Sequence, residues 1–355
     1  MIHGHGDDIY KAAGEIKANF STNVWYETDI NLLQSVILQQ MDKILHYPEP
    51  DAGSFVEIIA RHYGISSENV IAGNGATELF YLIAHAFTGA NTCLPIPSFT
   101  EYEDACSLYK HRLAFIPFFE RECTPEEIGK ICPEPELMFI CNPNNPDGRV
   151  WELDQIRNFL RHYPRMTLVV DESFIDFAPS ACPAEGLLEQ FPNLLVIHSM
   201  TKNFAIPGLR LGYLLGSKQL ISRIKKFKQP WSINALAIEV GKYLLAHGED
   251  LLPDTQHLLR RKQPFVAALQ QIPGFRPQPS ETSFFLVETD WNSTVLKHIL
   301  LERYGLLIRD ASNFRGLNDH YFRVNTLTDF KNGLLIEALQ ELGANENSRT
   351  KTKPY

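Results

Sequence analysis

Lys202 stands just beyond the apolar run NLLVIH, with Ser199 and Thr201 before it and Arg210 after it, in the stretch SMTKNFAIPGLRLGY. A lysine amine at the end of a buried strand is a nucleophile and a proton carrier. Hydroxyls and a guanidinium around it are donors for an anion. Upstream, other strand-like runs end on polar groups of the same kind. NVIAG leads into NGATE, where Ala76 and Thr77 open a helix whose first N–H groups favour phosphate. PSFTEY brings Tyr102, ELMFI leads into CNPNNPDG with Asn145, and MTLVV ends on Asp171. Singly, each group has a plain reading: a turn, a helix cap, a solvated lysine, a surface ion pair. Jointly they put polar groups at the same end of successive strands, where open α/β sheets bind ligands.

One cofactor uses all of them. Pyridoxal phosphate needs a lysine for a Schiff base and a carboxylate that keeps its ring nitrogen protonated. Lys202 and Asp171 fit those needs. Ala76, Thr77, Ser199, Thr201 and Arg210 fit the phosphate, Asn145 the ring oxygen, and Tyr102 the ring face.

The elements that must position these groups are legible as texture. Between about residues 55 and 215, apolar runs of four to six residues alternate with helical patterns. Continuous rather than alternating runs indicate strands buried on both faces, as in a parallel sheet. After PWSINALA, helix becomes more frequent and strands fewer. The expectation is an α/β fold with a mostly parallel central sheet. Its large domain spans 35–240, a smaller α+β domain combines 1–34 with 241–343, and a disordered polar tail covers 344–355.

Composition narrows the class. The 355 residues are 44% apolar and 21% charged, which suits a globular enzyme. A net charge of −9 speaks against nucleic acid as partner. No run approaches the ~18 apolar residues of a membrane span, and MIHGHGDDIYKAAGE has no apolar core of the signal-peptide kind. Six cysteines without CxxC spacing read as reduced thiols of a cytoplasmic protein. Twelve histidines include no HExxH pair, and no metal site is expected.

NGATE, PSFTEYE, NPNNPDG, DESFIDF and SMTKNFAIPGLRLGY, in that order, resemble the fold-type I pyridoxal-phosphate enzymes over residues 1 to about 340. The resemblance is closest to the histidinol-phosphate aminotransferase branch and, within it, to the threonine-phosphate decarboxylases of cobalamin side-chain synthesis. It implies Lys202 as the Schiff-base lysine, Asp171 as the pyridinium partner, Asn145 as the ring-oxygen ligand and Tyr102 as the stacking ring. It implies a homodimer with shared active sites, in which Tyr47 reaches the partner's cofactor phosphate. It also implies a small phosphorylated amino acid as substrate. Arg323 in YFRVNT would grip its carboxylate and Arg309 in LLIRDASNFRGL its phosphate.

The resemblance leaves two reactions open. Phe174 in DESFIDF stands where aminotransferases of the branch usually have a tyrosine. HGHGD resembles an N-terminal decarboxylase segment, with His5 the better match and His3 the alternative for contacting substrate phosphate, and QPWSINALA matches a second such segment. These lean toward decarboxylation, with transamination as the alternative. FSTNVWYETD keeps Asn23 as a substrate contact but lacks the Pro and Gly usual there, and Asp147 replaces the usual threonine before Gly148.

Overall fold

The computed structural model describes residues 6–12, 14–119 and 123–344. The chain forms two compact units. Among the described residues the first comprises 24–119, 123–145 and 150–253, the second 6–12, 14–23, 146–149 and 254–344. A short first strand, β1 (Ala18–Asn19), belongs to the second unit.

Among the described residues the first unit carries a seven-stranded sheet. Its strands are β2 (Val70–Gly73), β3 (Asn91–Ile96), β4 (Arg112–Pro117), β5 (Leu137–Cys141), β6 (Thr167–Asp171), β7 (Leu194–Ser199) and β8 (Gly212–Gly216). They lie in the order β2-β8-β7-β6-β5-β3-β4. The five from β4 to β7 run parallel, and β8 runs antiparallel to both β7 and β2. The mostly parallel sheet expected from the continuous apolar runs is therefore present. Every residue of β2, β5, β6, β7 and β8 is buried, because helices cover both faces and leave no position for a polar outward row. Each buried Leu, Val or Ile there contributes roughly 1.5–3 kcal/mol of transfer free energy. Only the edge strand β4 has exposed residues at its two ends.

Local signals set the helix ends. Gly64 closes helix Gly53–Tyr63 in the left-handed region at φ 66°, where its N–H reaches the carbonyls of Ala60 and Arg61. Glu152 and Gln155 form a reciprocal capping box on helix Leu153–His162.

The second unit pairs β1 in parallel with β11 (Leu306–Leu307) once β9 (Phe275–Pro277) and β10 (Phe284–Thr289) have been laid down. With β12 (Arg309–Asp310) and β13 (Tyr321–Asn325), the latter two form an antiparallel sheet in the order β12-β13-β10-β9. Helix Thr255–Gln270 begins on Asp254, whose carboxylate accepts from the His257 N–H at 2.9 Å. It sets Phe265 against Phe20 and Phe285, with ring centroids 6.2 and 5.6 Å away. Among the described residues no helix is long and apolar enough to cross a membrane. Cys93, Cys106, Cys123, Cys132 and Cys141 are buried, Cys182 is exposed, and none of the six forms a disulfide.

Candidate active site

Strand register explains how residues far apart in the chain meet. Cys141 pairs with Asp171, Asp171 with Ile197, Ser199 with Gly212, and Gly212 with Gly73. One edge of the sheet therefore carries Gly73–Thr77 after β2, Asn142–Asn145 after β5, Asp171 on β6 and Ser199–Lys202 at the end of β7. Because β8 is antiparallel, its beginning lies at that edge too, and Arg210 precedes it by two residues.

Asp171 is 2% exposed. Its Oδ1 accepts from the Ser173 N–H at 3.0 Å and from Ser173 Oγ at 2.5 Å, and its Oδ2 accepts from the Tyr102 hydroxyl. Burial raises the Asp171 pKa above the ordinary carboxylate value. The Ser173 and Tyr102 bonds and the Lys202 ammonium pull it back only in part. A buried acid held this way gains from a cationic N–H partner, which a pyridinium provides.

Tyr102 is 1% exposed, stacked on Phe139 at 5.2 Å and 13° and met edge-on by Phe80 at 4.9 Å. Its burial and its stack on Phe139 place it within the core, where its hydroxyl donates to Asp171. Phe99, three residues earlier and half-buried, is the aromatic of PSFTEY that keeps exposed surface at this edge. The spacing carried the signal: the second aromatic lies inside helix Thr100–Leu108 and turns into the core, while the first caps that helix. Tyr102→Phe is expected to lower kcat/KM about tenfold and to cost about 1–3 kcal/mol, the range for leaving a buried acceptor short of a donor. Steady-state kinetics and urea unfolding check this. A variant equal to wild type in both would mean that Tyr102 acts only through its ring.

At the other end, two glycines let cationic groups converge. Gly75, at φ 74°, opens helix Gly75–Ala86, and a Cβ there would lie 2.5 Å from Arg210 Nη2. A Cβ on Gly212 would lie 2.9 Å from the Ala76 amide nitrogen. First-turn N–H groups have no acceptor within their own helix. They stand here beside a guanidinium whose burial lowers its pKa, so its charge favours an anionic neighbour. Arg210 itself adopts φ 56° and donates through Nη1 to the Pro207 carbonyl at 3.1 Å. Ser199 Oγ and Thr201 Oγ1 are 2.8 Å apart and buried. Glu78 fixes the turn by accepting from the Asn74 N–H at 2.6 Å and from Ser232 Oγ at 3.2 Å. This donor set fits a phosphate dianion.

Between the two ends, Asn142 brackets the Trp151 backbone and Asn144 ties to the Pro97 carbonyl at 3.0 Å, holding the loop that carries buried Asn145. Phe174 is 6% exposed and packs on Phe177, 6.1 Å away. Lys202, half-buried in helix Met200–Asn203, is fixed through its carbonyl, which accepts from the Trp25 N–H at 2.9 Å. Tyr47 is 89% exposed beside Trp231, amid exposed Leu38, Ile44 and Leu45.

The second unit holds a separate cluster of expected residues. Arg309 and Arg323 are direct cross-strand partners, 6% and 5% exposed. Burial lowers the Arg309 pKa to about 10, against the pull of Asp310 and Asp8. Burial and the Arg309 charge lower that of Arg323 to about 9. Arg323 Nη2 donates to the Ser21 carbonyl at 2.7 Å, and Arg309 Nη2 to Asn313 Oδ1 at 2.9 Å. Asn23 is 3% exposed, and both atoms of its amide lack a hydrogen bond. Two like charges and an unsatisfied amide in one buried cluster call for an anion. Gly6 lies against Ser21 and Arg309, where a Cβ would come within 2.4 Å of the Ser21 carbonyl oxygen. His5 and His3 lie outside the described residues.

Known proteins share this architecture. The L-threonine-O-3-phosphate decarboxylase of Porphyromonas gingivalis superposes with a TM-score of 0.87 and 36% identity, covering 92% of this chain and 99% of that one. The threonine-phosphate decarboxylase of Salmonella typhimurium is 29% identical over 353 residues, 95% of this chain and 96% of that protein. The histidinol-phosphate aminotransferase of Thermoanaerobacter pseudethanolicus is 31% identical over 330 residues, 89% of this chain and 91% of that protein. The family profile "Aminotransferase class I and II" matches residues 15–339. With that match across both units, the chain belongs to the class I and II aminotransferase family.

Proposed function

We propose that this protein decarboxylates L-threonine O-3-phosphate to (R)-1-aminopropan-2-ol O-2-phosphate, a step of cobalamin biosynthesis, as a cytoplasmic homodimer. It is a pyridoxal-phosphate enzyme. The observation that carries the substrate is the buried Arg309–Arg323 pair. Threonine phosphate brings a phosphate and a carboxylate in one molecule, one anion for each guanidinium. Phe174 and the likeness to two threonine-phosphate decarboxylases favour the same reading.

Bound to Lys202, pyridoxal phosphate supplies an electron sink for a bond broken at Cα. The residues of the chain do the rest. The first-turn N–H groups at Ala76 and Thr77, with Ser199, Thr201 and Arg210, bind the cofactor phosphate. Asn145 would donate to the ring oxygen, Phe99 would cover the ring, and Asp171, held by Tyr102 and Ser173, would keep the ring nitrogen protonated. Arg309 takes the substrate phosphate and Arg323 its carboxylate, with Asn23 and His5 as further contacts. Two anchors on two anionic groups would fix how the substrate is oriented, and through that orientation the chain's own residues would select the reaction. Once CO2 has left, the freed Lys202 amine or a water would deliver a proton to Cα. Tyr47, in its exposed apolar surroundings, belongs to the subunit interface and reaches the partner's cofactor phosphate.

The second reading is transamination of histidinol phosphate or a related amine with 2-oxoglutarate, favoured by the 31% identical aminotransferase. Two incubations separate them: threonine phosphate alone, and histidinol phosphate with 2-oxoglutarate. The expected result is CO2 release from the first without any oxo acid. Glutamate formed in the second, with no CO2 from the first, overturns the proposal.

A further inference from the structure

A second constellation sits one residue beyond Asp171, and the reaction does not use it. Glu172 follows β6, His198 lies on β7, and Glu185 lies on the turn Ala184–Leu187. One donor atom from each falls within 4.8 Å of the other two. Glu172 is 2% and His198 8% exposed. Glu172 Oε2, Glu185 Oε2 and His198 Nε2 are all shut off from solvent and make no hydrogen bond. The frame around them is fixed. Glu172 Oε1 accepts from the Ala184 N–H at 2.7 Å, and the Glu172 N–H donates to the Ile197 carbonyl at 2.8 Å. The imidazole of His198 stacks on Tyr213 and on Tyr63, with centroids 5.0 and 5.8 Å away, and those two tyrosines touch each other through a hydroxyl pair at 2.8 Å.

The geometry points to a binding site for one divalent first-row transition cation on Glu172, Glu185 and His198. Donors on a tetrahedral Zn²⁺, each at ~2.0–2.2 Å, lie roughly 3.3–3.6 Å from one another. His198 Nε2 and Glu172 Oε2 are 3.6 Å apart. A mixed imidazole and carboxylate set suits Zn²⁺ better than Mg²⁺ or Ca²⁺, which take oxygen donors. A proton shared between the two acids would satisfy both carboxylate oxygens but leave His198 Nε2 without a partner, whereas a cation satisfies all three. No motif announces this site, because its donors come from a strand end, a turn and the next strand. The cation would brace the strand end that carries Asp171 and take no part in the reaction.

The test is metal content and stability of the full-length protein, with Zn²⁺ as probe and Co²⁺ as spectroscopic substitute. After incubation with Zn²⁺ and exhaustive dialysis, wild type is expected to retain about one Zn²⁺ per chain by mass spectrometry. A chelator should lower its Tm by several degrees, and Co²⁺ should give visible d–d bands. Glu185→Gln, at a half-buried position, and His198→Gln should lose the retained metal, the bands and the chelator effect. If His198→Gln does not fold, Glu185→Gln alone decides. Wild type that retains no more Zn²⁺ than Glu185→Gln, or a chelator effect that persists in that variant, overturns the assignment.

Discussion

Lys202→Ala is expected to lower kcat on threonine phosphate about 10⁴-fold, the upper end for one positioned proton-transfer group, while Tm stays near that of wild type. The two halves of this result have separate causes. The side chain is half-buried at the end of a four-residue helix, and the backbone there is held independently by the Trp25 N–H at 2.9 Å. Truncation therefore removes little packing, and changes of this kind usually stay within about 0.5 kcal/mol. The chemistry loses more. The ammonium that favours the ionised form of Asp171 disappears, so the acid's pKa, already raised by burial, rises further. The amine that delivers the proton to Cα disappears as well. A small primary amine added to the buffer should restore part of the rate, because it can diffuse into the vacated volume. Activity within tenfold of wild type, or no response to added amine together with a collapsed Tm, would mean that Lys202 is a loop lysine with a structural role.

Much of the first unit's site was legible because a parallel sheet imposes a simple geometry. Runs such as MTLVVD and NLLVIHS are apolar without alternation, which requires two covered faces, and two covered faces leave only the strand ends for chemistry. Asp171, Asn145, Ser199, Thr201, Lys202 and Arg210 could thus be grouped without coordinates. Tyr102 could not be read correctly, since its partner Phe139 lies on β5, and only the pairing of β3 with β5 brings them together. Phe99 was hidden by the same fact. The Glu172–Glu185–His198 group escaped because it depends on where the turn Ala184–Leu187 lies against β7. Arg309 and Arg323 were named individually, but their direct pairing is a matter of register between β12 and β13, and a slip of one residue would have set them on opposite faces.

That pairing leads to a result of opposite sign for stability and activity. Arg323→Gln is expected to raise Tm by a few degrees while lowering kcat/KM about 10²–10³-fold, the range for truncating one member of a buried charge pair with its ligand. Burial and the Arg309 charge lower the folded-state pKa of Arg323 to about 9, far below its ordinary value. The folded protein therefore binds this proton more weakly than the unfolded chain does. The penalty is present in full at neutral pH and is relieved only as pH rises through and above the folded value. Glutamine keeps a donor for the Ser21 carbonyl, which Arg323 Nη2 reaches at 2.7 Å, and removes the charge that repels Arg309. On the proposed function, a substrate carboxylate would relieve that cost on binding. Threonine phosphate should therefore raise the Tm of wild type far more than that of Arg323→Gln, since a ligand stabilises only in proportion to its affinity for the folded state. Lysine is not a conservative alternative here, as a point charge lacks the planar fork of the guanidinium. Thermal melts with and without substrate, run beside steady-state kinetics, check both signs. A Tm that falls in Arg323→Gln while kcat/KM is unchanged would make Arg323 a structural strand residue and leave the carboxylate to another donor.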